Sequence, residues 1–262
     1  MRQSCSAPAR RLRTDLRAVV FLVAPRASAA AAESASAPLT TAALGREIFL
    51  DPSLSASGRM ACATCHDLAH ALAQSNAAAV QSGGAGLDVP GLRSVSSLRY
   101  LNSGTFFFDE DATPTAGFDR DGRAASLLDQ AERPFLAAHE LANGDAATVA
   151  AKLAAAGYAD DFRRVFGEEA FDDAESALLR ARFAIAAYAK SATELHPFDS
   201  KYDYFLKGKV RLVPAELCGF ALFNRKDKGN CAACHTSMRG SDGWPPLFTD
   251  FSYDNLGVPR NA

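Results

Sequence analysis

The chain has 262 residues, and 48% of them are hydrophobic, which is enough for the core of one large domain or two modest ones. Its formal net charge of −2 excludes the strongly basic composition that is typical of nucleic-acid-binding proteins. No stretch approaches the roughly 20 apolar residues of a membrane-spanning helix.

The first 32 residues differ in character from the rest of the chain. Arginines precede a short apolar run, Ala18–Ala24, and Ala27–Ala29 offers a small-x-small cleavage site, which together resemble a secretory signal peptide. A disordered basic tail is the alternative. Removal of residues 1–32 leaves 22 basic and 29 acidic residues, a net charge of −7. This acidic balance argues against a nucleic-acid partner and is compatible with a basic or neutral electron-donor protein.

The remaining sequence predicts helices and loops, with almost no alternating strand pattern. A short helix is predicted over Thr41–Leu50, where Leu44 and Ile48 share one face and Pro52 ends the helix. An alanine-rich helix is predicted over Ala147–Ala156. The pattern therefore favours a mostly α-helical protein.

Two further helices are predicted towards the C-terminus. The longest covers Asp172–Lys190, and Asp172 or Asp173 can cap its start. The side of this helix that we expect to be buried consists of Leu178, Leu179, Phe183 and Ala186. A helix over Pro214–Phe223 carries proline in its first turn. Its predicted buried stripe consists of Leu217, Phe220 and Ala221.

Gly- and Pro-containing segments separate these helices. Gln81–Pro90 is rich in Gly and Ser, and Asp109–Gly122 is acidic and contains Pro and Gly, so both are predicted to be loops. The natural domain boundary is Ser191–Val213, which carries a proline and several charges. We therefore predict an N-terminal domain over residues 33–195 and a C-terminal domain over residues 196–262.

Two Cys-x-x-Cys-His motifs, 169 residues apart, lie one on each side of this boundary: Cys62–His66 and Cys231–His235. This pattern is the attachment motif for c-type haem. Its two thiols add to the haem vinyl groups, and the adjacent histidine binds the iron. The motifs predict two covalently bound haems, with His66 and His235 as iron ligands. The cysteines predicted to attach haem are Cys62, Cys65, Cys231 and Cys234. Each motif is expected on a short helix.

Other uses of these cysteines fit the spacing less well. A zinc ribbon places its two Cys-x-x-Cys pairs within about 20 residues of each other. A thioredoxin-like pair needs a βαβ setting and no histidine after the second cysteine. A disulfide framework is typical of small secreted chains that lack a core. Because bacteria attach c-type haem outside the cytoplasm, the haem motifs also favour the signal peptide and a periplasmic location.

Three groups of segments carry a resemblance to a known family. They are Leu44–Ser55 running into Cys62; Arg120–Arg123 with Gln130 and Glu140–Asn143; and Gly219–Phe223 with Asn230–His235. In combination they resemble the bacterial di-haem cytochrome c peroxidases, a family that includes protein-modifying enzymes of the MauG type. The resemblance covers roughly Ala42–Val258.

The resemblance implies two cytochrome-c-like helical domains, each around one covalent haem. The N-terminal haem would be the peroxidatic one, and the C-terminal haem would receive electrons and pass them on. The implied reaction is reduction of hydrogen peroxide to water, with electrons from a small donor protein such as a cytochrome c or a cupredoxin.

The resemblance also implies roles for residues near the first haem. Glu140 and Gln130 match the family's distal glutamate and glutamine, so Glu140 is expected to move a proton and Gln130 to hydrogen-bond peroxide or water. The alternatives are a solvated helix-end glutamate and a surface glutamine. Arg123 would pair with a haem propionate, and an ordinary surface ion pair is its alternative.

The sequence departs from the family at two places: the residue that relays electrons between the haems, and the loop that faces the distal side of the first haem. Arg120 stands where the family has a tryptophan relay, and the chain's single tryptophan, Trp244, is interpreted as a packing residue. Family peroxidases often place a removable histidine ligand in a loop whose counterpart, residues 81–92, contains none. His70 is interpreted as a propionate or water contact. The first haem is therefore expected to be open on its distal side.

A further departure concerns the second haem. The family places a methionine ligand well beyond the second motif, whereas this sequence stops at Ala262, 27 residues after His235. Met60 belongs to the other domain, and Met238 is too close to His235 to cross the ring. We therefore expect a truncated family member with an incomplete C-terminal domain and no methionine on the His235 haem.

Three functions remain open at this point: a peroxidase, an enzyme that oxidises residues of a partner protein, and an electron carrier without substrate chemistry. Hydrogen peroxide and the donor protein are the predicted partners of the first. The sequence is compatible with a homodimer. Calcium is compatible with the family resemblance, but no residue pattern supports it.

Overall fold

The computed structural model describes residues 39–101, 104, 107–240, 243–255 and 257, so the predicted signal peptide, residues 1–32, lies outside the described residues. The described chain is mostly helical, as predicted. The α-helices are α1 (Thr41–Leu50), α2 (Cys62–Cys65), α3 (Leu127–Gln130), α4 (Arg133–Leu136), α5 (Ala146–Ala155), α6 (Ala159–Phe166), α7 (Ala174–Ser191), α8 (Lys201–Leu206) and α9 (Pro214–Asn224). Short 3-10 helices cover Pro52–Leu54, Leu68–His70, Glu168–Phe171, Thr193–Leu195 and Cys231–Ala233. No helix within the described ranges is long and apolar enough to cross a bilayer.

Helices α1 and α7 cross closely in the core. A Cβ atom at Gly45 would lie 1.9 Å from the carbonyl oxygen of Ala184, so only glycine allows the two backbones to approach this closely. Leu44 and Ile48 are buried beside this crossing, in the same cluster as Leu178. The predicted shared face of Leu44 and Ile48 is therefore confirmed.

The buried side of α7 differs from the predicted one. The Asp173 carboxylate accepts a hydrogen bond from the Ser176 amide at 2.8 Å, which confirms one of the two candidate caps. Leu179 and Phe183, however, are 45% and 55% exposed. The buried residues of α7 are Ala177, Leu178, Ala181, Ala184, Ala186, Tyr188 and Ala189. Leu178 and Ala186 are therefore buried as predicted, whereas the prediction was wrong for Leu179 and Phe183. The close crossing with α1 requires small side chains, so a mainly alanine stripe faces the core and these two larger residues point outward.

The predicted loop Gln81–Pro90 contains a short antiparallel hairpin, and a second hairpin begins just before the predicted loop Asp109–Gly122 and ends within it. β1 (Ser82–Gly83) pairs with β2 (Val89–Pro90), and β3 (Phe107–Phe108) pairs with β4 (Pro114–Thr115). Two-residue strands are too short to show an alternating pattern in sequence. The segment around Ser252 pairs with β4, where the Tyr253 amide donates to the Pro114 carbonyl at 2.8 Å. The C-terminal part of the described chain therefore contacts the N-terminal part.

Helix α9 begins at Pro214, as predicted, but none of its residues is buried. Leu217 is 45% exposed, so the predicted buried stripe is wrong. The Tyr202 ring packs against Phe220 and Phe248, with ring centroids 5.8 and 5.3 Å away. In the part of the chain that the structure describes, α9 is thus held by aromatic contacts at one side rather than enclosed in a core.

Candidate functional site

A cleft of about 1250 Å³, counting its open mouth, lies beside the first haem motif. Cys62, Cys65 and His66 line it. Its lining also includes Arg123, Gln130 and Glu140, which the sequence places at least 57 residues further along the chain. The fold therefore brings together all six site residues that the sequence predicted for the N-terminal domain.

The first motif forms the one-turn helix α2, which places the two cysteines on the same face. The Thr64 hydroxyl accepts a hydrogen bond from the Ala61 amide at 2.9 Å and fixes the start of this turn. Burial and the charge of Glu140 raise the pKa of Cys62 to about 12, and the same causes raise the pKa of Cys65. Redox-active cysteine pairs have lowered pKa values, so the shift at Cys62 and Cys65 is in the opposite direction from theirs.

His66 is held in the form that binds a metal. Its Nδ1 lies 3.0 Å from the Leu72 carbonyl oxygen, which can only accept, so Nδ1 carries the proton and donates it. Burial lowers the pKa of His66, although hydrogen bonds to the backbone of Leu72 and Ser96 oppose this shift. A neutral ring with its proton on Nδ1 keeps the lone pair on Nε2 for an iron.

The second motif repeats this arrangement in open surroundings. The His235 Nδ1 donates to the Phe248 carbonyl oxygen at 2.9 Å, and Cys231, Cys234 and His235 are all exposed. The buried Ser237 anchors the segment, because its hydroxyl donates to Asn224 at 2.7 Å. Both motifs therefore present the same set of donor atoms, two free thiols and a histidine Nε2, which fits covalent haem.

Glu140 lies between α4 and α5, with its side chain in the lining of the cleft. Its amide donates to Ala137 and its carbonyl accepts from Gly84, each at 2.9 Å. The side chain keeps 42% of its surface accessible within the cleft, yet the surrounding protein desolvates the carboxylate, and this burial raises its pKa. His139, whose Nε2 lies 3.5 Å from Oε1 of Glu140, opposes the shift.

A buried network that the sequence did not reveal supports the Glu140 segment. The Asn143 side-chain amide donates to the carbonyls of Leu54 and Phe135 at 2.8 and 2.9 Å. The Lys152 ammonium donates to the Asn143 side-chain oxygen at 2.8 Å and to the Ser55 carbonyl at 2.6 Å. The network therefore ties the segment after Glu140 to the loop that precedes the first motif.

Hairpin β1–β2 backs the same segment. A Cβ atom at Gly83 would lie 2.3 Å from the His139 carbonyl oxygen, so this position excludes a side chain. The Gly83-Gly84 pair was the available sequence signal for a close backbone approach, but nothing in the pattern named the segment that approaches.

Arg123 makes ion pairs with protein carboxylates. Its Nη1 lies 3.0 Å from both Asp121 carboxylate oxygens, and its Nε lies 3.1 Å from Asp119. Arg133 also binds Asp119, at 3.0 Å. These ion pairs hold Arg123 in the lining of the cleft, and its pairing with a haem propionate stays a prediction.

Gln130 ends α3 and lines the cleft, and Arg120 lines it as well. The Arg120 guanidinium donates to the Ser94 carbonyl at 3.1 Å and to its hydroxyl at 3.0 Å, which joins two segments of the cleft wall.

His70 lies 2.9 Å from the Asp67 carboxylate and is more than half exposed. Among the described residues, no group of three or more His, Cys, Asp or Glu side chains is arranged to hold a metal ion.

The chain is similar to known proteins in both sequence and fold. The sequence model described as "Di-haem cytochrome c peroxidase" matches residues 40–211. The chain is 36% identical over 230 residues to methylamine utilization protein MauG of Paracoccus denitrificans, covering 84% of this chain and 57% of that protein. It is 30% identical over 224 residues to cytochrome c551 peroxidase of Nitrosomonas europaea, covering 83% of this chain and 55% of that one.

Among solved structures, the chain is similar to the dihaem peroxidase BthA of Burkholderia thailandensis, with 35% sequence identity and a TM-score of 0.75. The match covers 84% of this chain and 55% of BthA. The chain thus spans a little more than half the length of the relatives that it matches.

Proposed function

The chain belongs to the di-haem cytochrome c peroxidase family, and from this premise we propose that it reduces hydrogen peroxide to water in the periplasm. A small donor protein, a cytochrome c or a cupredoxin, supplies the electrons. The observation that carries the proposal is the single cleft that joins the Cys62–His66 motif to the Glu140 carboxyl, whose pKa is raised by burial.

The proposal assigns one covalent haem to each motif. Cys62 and Cys65 form the thioether links of the first haem and His66 binds its iron, while Cys231, Cys234 and His235 do the same for the second. When bound, these haems supply iron centres that can cleave the O–O bond and transfer single electrons. The first haem belongs to a domain over residues 33–195 and the second to residues 196–262.

Glu140 acts as the proton carrier of the reaction. Cleavage of peroxide to water needs one proton moved from one peroxide oxygen to the other, and a carboxylate can accept and return it. The raised pKa brings Glu140 closer to neutral pH, where such a group exchanges protons most effectively. Gln130 holds peroxide or a water molecule through its amide without adding charge to the cleft.

An enzyme that oxidises a partner protein is the second candidate. The observation that favours it is the higher identity to the MauG protein of Paracoccus denitrificans, 36% against 30% for the Nitrosomonas peroxidase. Such an enzyme would react with peroxide but consume reduced donor cytochromes slowly.

Spectroscopy of the purified holoprotein tests the proposal. The ferric protein should contain two haems and show a high-spin component without prior reduction, and it should consume peroxide when a reduced donor cytochrome is added. Low-spin spectra for both haems without peroxide turnover would indicate an electron carrier and overturn the proposed peroxidase. Reaction with peroxide but slow oxidation of the donor would favour the partner-oxidising enzyme.

A further inference from the structure

Four aromatic side chains form a continuous set of ring contacts between the segments that carry the two motifs. Tyr100 packs against Phe198 with ring centroids 4.8 Å apart, and Phe198 packs against Trp244 at 5.5 Å. His196 contacts both Tyr100 at 6.3 Å and Trp244 at 5.7 Å. These are ordinary separations for packed aromatic pairs. We call these four residues the aromatic bridge.

One end of the bridge is joined to the first cleft. Leu98 lines the cleft and packs in the same cluster as Phe49 and Cys62, and Tyr100 follows it by two residues. Ser96, two residues before Leu98, lines the same cleft as the His66 ring. A short, packed piece of chain therefore connects the predicted iron ligand with the first ring.

The other end is joined to the second motif. Trp244 lies in the loop between His235 and Phe248, and the hydrogen bond from His235 Nδ1 to the Phe248 carbonyl at 2.9 Å closes this loop. The Trp244 carbonyl accepts from the Gly240 amide at 3.3 Å, which holds the loop internally. Trp244 is thus carried by the same closed loop that orients the second predicted iron ligand.

Backbone contacts fix the rings of the bridge. The Tyr100 amide donates to the Leu195 carbonyl at 2.9 Å, and the Phe198 amide donates to the Tyr100 hydroxyl at 3.3 Å. Tyr100 and Phe198 have φ values of 60° and 41°, in the left-handed region that bulky residues rarely adopt. The contacts between the two halves of the chain hold both residues in this costly conformation.

The cleft wall at Arg120 offers no comparable path. Its side chain is an alkyl chain ending in a guanidinium that binds Ser94, and it carries no aromatic ring. Indole and phenol rings, in contrast, have accessible one-electron oxidised states, and packed rings shorten the gaps that an electron must cross. Trp244 is the single tryptophan of the chain, and its ring contacts both His196 and Phe198 at the end of the bridge nearest the second motif.

We propose that the aromatic bridge is the route by which electrons pass between the His235 haem and the His66 haem. This inference rests on the proposed function. Reduction of one peroxide to two waters consumes two protons and two electrons, and the reduced donor protein supplies the electrons one at a time through the His235 haem. The bridge transfers electrons only, while the protons enter from the cleft.

Electron redistribution between the haems, measured without peroxide, tests the route. The half-reduced, carbon-monoxide-bound holoprotein is exposed to a light pulse, and absorbance follows the electron after carbon monoxide leaves. Trp244→Leu and Phe198→Leu should each slow this phase by about tenfold, the change that about 1.4 kcal/mol of activation free energy produces. Trp244→Phe keeps a packed ring but lacks the easily oxidised indole, so it should slow this phase less than Trp244→Leu does.

Phe171→Leu is the matched control, because Phe171 stacks on Phe162 with centroids 4.8 Å apart, away from the bridge. It should leave the inter-haem rate unchanged. Haem content, the two reduction potentials and the near-ultraviolet circular dichroism should stay the same in all variants. Unchanged rates in both Trp244→Leu and Phe198→Leu would overturn the bridge. A normal inter-haem rate without peroxide turnover would instead overturn the proposed function and leave the bridge in place.

Discussion

The two Cys-x-x-Cys-His motifs have the same sequence pattern, and both histidines donate Nδ1–H to a backbone carbonyl. The surroundings of the two motifs are nevertheless different. The first motif lies in a cleft beside the main core, and the partly desolvated carboxyl of Glu140 lines the same cleft. The second is exposed, and the adjacent helix α9 has no buried residue. In the proposed holoprotein, the five-residue motif would supply the groups that hold each haem, whereas the surrounding fold would determine what that haem can react with.

This difference suggests that the two motifs have different functions, proton transfer to substrate at the first and electron entry at the second. A cleft that desolvates Glu140 suits proton transfer to a small substrate, because the electrostatic effect of a charge is larger where water is partly excluded. An exposed motif suits electron entry from a protein partner, which needs access rather than an acid or a base. Substitutions in the two regions test this contrast.

Removal of each cysteine pair should cost one haem and have opposite consequences for peroxide. Cys62→Ala with Cys65→Ala should leave one haem and abolish the rapid reaction with peroxide. Cys231→Ala with Cys234→Ala should also leave one haem but keep the first reaction step, since the cleft is intact. Pyridine haemochrome assays, intact mass and stopped-flow mixing with peroxide measure these outcomes. Loss of the rapid reaction with peroxide in the Cys231→Ala, Cys234→Ala variant would contradict the proposed difference between the two motifs.

Substitution of Glu140 should remove the acid/base group while keeping the cleft. We expect Glu140→Gln to lower the rate of reaction with peroxide by roughly 10²-fold or more, the scale of a lost general acid/base. Glu132→Gln is the matched control, because Glu132 pairs with Arg182 and does not line the cleft. Equal rates in the two variants would contradict the role of Glu140.

The pH dependence of the same reaction should report the Glu140 carboxyl. Because burial raises its pKa, the carboxylate that accepts the proton forms only above the usual glutamate value of about 4.3. The rate should therefore rise with pH through that raised pKa and then level off. His139 lowers the pKa of Glu140, so His139→Gln should move the rise to higher pH, and Glu140→Gln should flatten it. A profile that is flat in the wild type, or the same in Glu140→Gln, would contradict this assignment.

The sequence predicted features that depend on neighbouring residues. Leu44 and Ile48 were placed on one buried face because they are four residues apart, and Asp173 was among the candidate caps because capping is local. The family resemblance placed Glu140 and Gln130 in one site, and the structure brings both to the cleft.

Features that depend on distant contacts could not be predicted. The outward position of Phe183 follows from the close crossing at Gly45, which no local pattern reveals. The Asn143 hydrogen bond to Leu54 joins residues 89 positions apart. The aromatic bridge likewise joins segments that are distant in sequence, so Trp244 read alone indicated only packing.

Two leucine substitutions, which are expected to affect the peroxide reaction least, compare the stability of the two regions directly. Leu178 is 2% exposed at the α1–α7 crossing, so Leu178→Ala should lower the free energy of unfolding by about 2–5 kcal/mol through lost burial and a cavity. Leu217 on α9 is 45% exposed, so Leu217→Ala should change the free energy of unfolding by no more than about 0.5 kcal/mol. Chemical denaturation followed by far-ultraviolet circular dichroism, at equal haem content, measures both. A loss of several kcal/mol in Leu217→Ala would mean that α9 is enclosed in solution, and the contrast between an enclosed first motif and an open second motif would no longer hold.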